Sequence, residues 1–362
     1  MYFYGTDPGC RTASLDQRLW APVMLFGFQA SRSCFPLKMQ AMGKDVLLEK
    51  GVTTTDADVG QILNVSKRSP FYQLKTLFLF TKSDFKTVIV PQSIFAATAA
   101  LSKTQLTTAG PEGPDATKSW DVVSRVPLML SWLWLNLLVE DIANQRLEGA
   151  MIEDAVNKPW RPLPSRRLTP EQARDWLIIS IMAAIGLSAF FGGYSASITL
   201  MVLIWMYNDL EGSSSGIWIR NALNAGGLMC FSWGALATLS GGELLPRGFA
   251  WILVTGAVIM TTVHAQDLPD IEGDMARGRL TMPLTYGETA ARASLAAMVM
   301  FWSVTCPLFW DASLWGWAAS TGIGSTMSVL ALQKRGQRWD EVVWKLWCLW
   351  ITVLYMLPAM EK

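Results

Sequence analysis

Three aspartates of the 362-residue chain, Asp267, Asp270 and Asp274, stand three and four residues apart. On a helix such positions share one face. Carboxylates gathered there repel one another unless a cation sits among them, and an all-oxygen set beside a phosphate is what Mg2+ prefers. Arg277 and Arg279 add positive charge just beyond, while Pro269 and Gly273 predict an irregular helix. A second stretch answers this one: NLLVEDIANQRLEGAMIEDAVNKPWRPLP, Asn136 to Pro164. Asn136 interrupts an apolar run, where an unpaired amide is costly, so it is expected to face the interior of a helix bundle. Glu140 and Asp141 close that run, and Glu148, Glu153 and Asp154 follow a polar turn. The proline-stiffened NKPWRPLP then offers Lys158 and Arg161 as phosphate donors. Carboxylates beside cations at the mouth of an apolar cavity are suited to holding a divalent metal and a diphosphate while the apolar tail of the same molecule lies in hydrocarbon.

The elements that must carry these groups are membrane-length helices. The chain is 51% hydrophobic and only 16% charged, with mean hydropathy +0.27, against roughly 25% charged residues in soluble proteins. The expected class is all-α: a polytopic membrane protein of about nine helices around a central cavity. Candidate spans are 86–102, 121–139, 174–192, 195–210, 217–239, 248–265, 290–310, 313–332 and 340–358. Pro91 predicts a kink in the first. A net charge of +1 suggests no nucleic-acid partner, and no motif for an obligate protein partner is readable. The five cysteines are scattered and His264 is the one histidine, which argues against zinc sites, a disulfide framework and Ser-His chemistry. Most of the 18 tryptophans read as anchors at the membrane interface. A few, among Trp132, Trp134, Trp205, Tyr207, Phe231, Trp233 and Trp302, are candidates for aromatic faces lining a cavity, where they could meet a cation.

Charge bias sets the expected orientation. Arg146, Lys158, Arg161, Arg166, Arg167, Arg220, Arg277, Arg279, Lys334 and Arg335 fall in alternate loops, and the intervening loops carry few cations. Both acidic stretches are therefore expected on the cytosolic face, the endoplasmic reticulum being the expected membrane. They end the second and sixth spans, so the chain reads as a parallel repeat of four-helix units with the stretches facing each other. Residues 1–70 read as a cytosolic, partly disordered extension ahead of a transmembrane domain over 71–362. The apolar Trp20–Ala30 is too short to span, and the sequon at Asn64 is expected to be unused.

The run DAVNKPWRPLP, together with DLPDIEGD followed by GRLTMPLTYG, resembles the UbiA superfamily of intramembrane prenyltransferases over about residues 72–358. The resemblance implies Mg2+, a prenyl diphosphate substrate and a lipid bilayer as surroundings. It implies metal-binding roles for Asp267, Asp270 and Asp274 in the second stretch and for Asp141 and Asp154 in the first, with Asn136 beside them. Asn157, Lys158, Arg161, Arg220 and Arg279 would contact the substrate. An insertion including ANQRLEGAM separates Asp141 from Asp154, leaving Asn144, Glu148 and Glu153 as extra candidates. This variant is similar to a fungal branch that includes a membrane-bound sesquiterpene cyclase. Cyclisation of a prenyl diphosphate, with farnesyl diphosphate the expected substrate, is thus the first expectation. Prenyl transfer to an aromatic or other acceptor is the alternative, and an ion transporter is the non-enzymatic one.

Overall fold

The computed structural model describes residues 69–109 and 119–362. The expected extension, with Trp20–Ala30 and Asn64, lies outside the described residues save for its last two positions. The described chain is helical almost throughout. In order come α1 (Pro70–Thr81), a π-helical turn (Phe85–Ile89) running into α2 (Val90–Ala100), α3 (Ser119–Gln145), α4 (Glu148–Asn157), α5 (Pro170–Phe191), α6 (Tyr194–Asn208) and α7 (Ile217–Ser240). Then follow α8 (Pro246–Thr262) with a 3-10 turn (Val263–Asp267), α9 (Ile271–Arg277), α10 (Met282–Tyr286), α11 (Glu288–Phe309), α12 (Leu314–Leu332) and α13 (Gln337–Met356).

Six of these segments are long and apolar enough to cross a membrane: 122–145, 170–191, 217–240, 246–267, 288–309 and 337–360. The expectation of nine is corrected accordingly. The other three expected spans are helical but fall short for physical reasons. The first holds only a five-residue π-helical turn and the 11-residue α2, the fourth is the 15-residue α6, and the eighth, α12, is diluted by glycine, serine and threonine. The protein is an all-α, multi-pass membrane protein.

Local chemistry explains the helix ends. Pro170 opens α5, and the preceding Thr169 exchanges capping hydrogen bonds with Gln172. Gly193 makes the tight α5–α6 turn at φ 78°, and a side chain there would meet Trp132 Nε1 at 2.8 Å. The core is built from α3, α7, α8 and α13. Trp132, Trp251, Trp347, Trp350 and Tyr355 are fully buried. Asn136 is buried as expected: its Nδ2 donates to Trp132 O at 2.9 Å, and its Oδ1 accepts from Ser197 Oγ at 3.0 Å. Ser197 in turn meets Ser188 at 2.6 Å. This polar chain ties α3 to α5 and α6, and leaves neither end of the amide open.

Candidate active site

The two acidic stretches meet at one end of the bundle. Each consists of a long helix followed by a short one, and the short helices α4 and α9 pack on each other. Gly273 permits their contact: a Cβ there would lie 2.1 Å from Asn157 Nδ2. Glu153 of α4 binds across the seam, accepting from Arg277 at 2.9 Å and from Arg279 at 3.1 Å. Lys158 Nζ lies 3.4 Å from Asp270 Oδ2, and Asn157 Nδ2 3.4 Å from Asp270 O.

The helix carrying the three aspartates is irregular, as Pro269 and Gly273 predict. Asp267 ends the 3-10 turn, Asp270 precedes α9, and Asp274 lies within α9. The helix breaks around Pro269, which cannot donate a backbone hydrogen bond. The fold nonetheless keeps the carboxylates together by pairing them with arginines. Arg220 Nη1 holds Asp267 Oδ1 at 2.7 Å, and Arg279 Nη1 holds Asp274 Oδ1 at 3.2 Å. In the first stretch Arg161 Nη1 reaches both oxygens of Asp154, at 2.9 and 3.1 Å. Its Nη2 donates to Ser83 Oγ at 2.8 Å and meets Asp84 Oδ2 at 3.4 Å. Asp141 is 2% exposed, and its Oδ1 accepts from Gln145 at 3.1 Å.

Charge follows this pairing. Burial alone would raise the Glu153 carboxyl, but Arg279, Arg277 and Lys158 hold it down at about 2. Burial pushes Asp274 up to about 7, helped by the charge of Glu153, and Arg220 and Arg279 do not fully offset it. Burial also works against the Arg161 charge, yet Asp154, Asp84 and Asp141 hold its pKa above the usual guanidinium range. The Asp274 environment is therefore short of positive charge.

That shortage bears on whether the residues suit Mg2+. Asp141 Oδ2, Asp267 Oδ2 and Asp274 Oδ2 are all buried without a hydrogen-bond partner. Orphaned carboxylate oxygens of this kind are high in energy unless a cation takes them. No group of three or more carboxylate, histidine or cysteine side chains close enough to chelate a metal by itself exists among the described residues. Mg2+ in phosphate sites commonly takes one or two carboxylates and completes its shell with water and phosphate oxygens. The donors present fit an ion that arrives with a diphosphate.

Two adjoining cavities lie at this end of the bundle. A vestibule of about 360 Å³ is lined by Lys82, Lys86, Asn157, Lys158, Asp270 and Lys345. Behind it lies a mainly apolar cavity of about 130 Å³, walled by Leu200, Leu203, Leu228, Phe231 and Trp347. Asp84, Gln266 and Trp344 line both, so they form the neck between them. A larger depression of about 1020 Å³, lined by Arg125, Phe190, Tyr194 and Trp233, touches no residue of either acidic stretch.

The structure thus sets Asp154 with Arg161, Asn157 and Lys158 with Asp270, Arg220 with Asp267, and Arg279 with Asp274, with Asp141 near Arg161. Asn136, expected beside the metal ligands, has both ends of its amide engaged by Trp132 and Ser197. Among the expected aromatics, Tyr207 and Phe231 line the apolar cavity. Trp205 is 54% exposed on the bundle surface, Trp134 and Trp302 are tied to Thr81 and Thr261, and Trp233 lies at the far depression. Asp84 and Glu140 line the cavity without having been expected there. The mixed charges of FTKSDFKT between two apolar runs are the available signal for Asp84.

Comparison with known proteins agrees with this architecture. Residues 141–354 match the UbiA prenyltransferase family. The chain is 31% identical to the fumagillin β-trans-bergamotene synthase of Aspergillus fumigatus over 253 residues, 69% of this chain and 79% of that protein. It is 30% identical to the somaliensene A/B synthase of Streptomyces somaliensis over 300 residues, 79% of this chain and 92% of that one. A solved structure of a UbiA homologue from Archaeoglobus fulgidus, bound to GPP and Mg2+, superposes with a TM-score of 0.54 at 12% identity, covering 79% of this chain and 99% of that chain.

Proposed function

The chain belongs to the UbiA prenyltransferase family, and from that premise we propose that it ionises a prenyl diphosphate and passes the prenyl group to an acceptor. The observation that carries this reading is the pair of adjoining cavities, an outer one walled by four lysines with Asp270 and an inner, mainly apolar one, at the end of the bundle where the two acidic stretches meet. In the reaction the C1–O bond of the substrate breaks, and its electron pair leaves with the diphosphate. The acceptor then bonds to C1 and gives up a proton.

Asp141, Asp267, Asp270 and Asp274 would hold Mg2+, with Asp154 as a further carboxylate. The ion would supply charge neutralisation on the diphosphate oxygens. Lys158 sits at the vestibule wall, paired with Asp270 through a 3.4 Å contact, and its flexible stem lets it turn to phosphate. Arg161, Arg220 and Arg279 each keep a buried, unpartnered Nε, a donor available to an incoming anion. Asn157 lies beside Asp270 and helps orient the same group. Fixed charges aimed at the leaving group act where charge develops. The apolar walls keep bulk solvent from the allylic cation, and the rings of Tyr207, Phe231, Trp344 and Trp347 offer it π-faces. The acidic stretches would face the cytosol, with the bundle in the endoplasmic reticulum membrane.

Cyclisation remains a second reading, because two relatives matched over most of their length are synthases, one of them named for bergamotene. It keeps the same first step, and a double bond of the substrate's own chain attacks the cation. The fungal branch placement and farnesyl diphosphate as substrate belong to this reading. The family's prenyltransferase character favours transfer. One experiment separates the two: membranes carrying the protein, Mg2+ and prenyl diphosphates of several lengths, with and without added acceptors. Acceptor-dependent consumption supports transfer. Cyclic hydrocarbons formed without acceptor support cyclisation and sink transfer. No EDTA-sensitive diphosphate release under any condition overturns both.

A further inference from the structure

The inner cavity is not apolar throughout. Two of its wall residues, Asn208 at the end of α6 and Asn224 on α7, carry amide groups among the leucines and Phe231 of its wall, in addition to Asp84, Glu140 and Gln266. Asn208 is 2% exposed. Its Nδ2 is used, donating to Ile204 O at 3.0 Å, which fixes the orientation of the amide. Its Oδ1 is left buried with no partner, and so is Nδ2 of Asn224. A buried unmatched amide atom costs roughly 1–3 kcal/mol. One free acceptor and one free donor on the wall of a single cavity complement a group that both donates and accepts. A hydroxyl oxygen is such a group, and a bare hydrocarbon chain is not.

Neither amide belongs to the diphosphate network, whose arginines and aspartates pair among themselves. Both line the cavity in which the cation would form. We propose that Asn208 and Asn224 form a subsite for the hydroxyl-bearing nucleophile that captures the prenyl cation. Asn208 Oδ1 accepts from the hydroxyl, and Asn224 Nδ2 donates to its oxygen. This rests on the ionisation step proposed above. In the capture, the hydroxyl oxygen supplies the electron pair for a new C–O bond at C1, and its proton passes to an oxygen of the departed diphosphate. The hydroxyl could belong to water or to an organic acceptor. The chemistry at the amides is the same, and the product tells the two apart.

The test uses full-length protein in membranes with Mg2+ and farnesyl diphosphate in H2(18)O, first without acceptor, then with resorcinol as a phenol or glycerol as an aliphatic alcohol. Diphosphate release and products are quantified together for the wild type, Asn208→Leu and Asn224→Leu. The wild type is expected to yield an oxygenated prenyl product, carrying (18)O if water is the nucleophile or the acceptor's oxygen if it is not. Each variant is expected to release diphosphate, while its ratio of oxygenated product to released diphosphate falls at least tenfold. An unchanged ratio in both folded variants overturns the subsite. So does a wild type that releases diphosphate but forms only hydrocarbon or carbon-alkylated products, a result that needs no variant and leaves ionisation standing. No release from the wild type overturns ionisation itself and the subsite with it.

Discussion

The two acidic stretches hold their carboxylates differently. In the second, Asp267 and Asp274 each give one oxygen to an arginine and keep the other unpaired. In the first, Asp154 gives both oxygens to Arg161, and Asp141, thirteen residues earlier across the insertion, holds the orphaned oxygen. The second stretch is therefore open to a cation at two aspartates, whereas the first is open at one. Asp154 works mainly to hold Arg161 in place, with Ser83 and Asp84 on its far side. Motif position alone does not set a carboxylate's role; the partner on its other oxygen does.

That comparison can be broken most severely at the open carboxylates. Asp141→Ala and Asp267→Ala are each expected to cut diphosphate release by at least ~10²-fold while the protein stays membrane-inserted. Near-normal turnover in either would remove that residue from the site. Next comes the seam. Glu153→Gln takes the paired carboxylate from Arg277 and leaves Arg279 with Asp274 alone, and breaking a buried pair costs about 3–5 kcal/mol. Thermal unfolding in detergent should show that loss near neutral pH. The sign of its pH dependence is set: Glu153 is held at about 2 against an ordinary value of 4.5. Its contribution is therefore complete above 4.5 and fades as pH falls toward 2. The gap between wild type and variant should close over that window, and a gap independent of pH would refute the pairing. Gly273→Ala drives a methyl to within 2.1 Å of Asn157, and overpacking of this kind costs about 1–3 kcal/mol. Asn157→Ala should recover part of it. Asp154→Asn tests the closed carboxylate: if it serves Arg161 rather than a metal, Mg2+ dependence should shift far less than in Asp141→Ala. The smallest effect lies in the packing chain. Ser197→Ala is expected to cost about 1 kcal/mol of stability with no change in KM, as the Asn136 network stands apart from the reaction.

Much of this was legible beforehand because the signals are local. Long apolar runs show where helices form, and alternating carboxylates and cations at their ends marked Asp154, Lys158, Arg161, Asp267, Asp270 and Asp274. An amide inside an apolar run predicts that Asn136 faces inward, and it is buried. What was not legible depends on three-dimensional neighbours. The nine-span count failed where length alone was the criterion, since α6 and α12 gain their place by packing against neighbours. Trp344 and Trp347 line the cavity while Trp205 faces outward, because which face of a helix turns inward depends on its partners.

The sequence by itself determined the class of molecule, the two charged regions and the kind of ligand they suit, since burial energy and charge are properties of residue types in order. Only the tertiary structure decided which aspartate oxygens stay unpaired, how Glu153 and Gly273 lock α4 onto α9, and that Asp84, Asn208 and Asn224 reach the cavity. Those outcomes are matters of a few ångströms between residues as many as 126 positions apart, a separation that only the packed helices close.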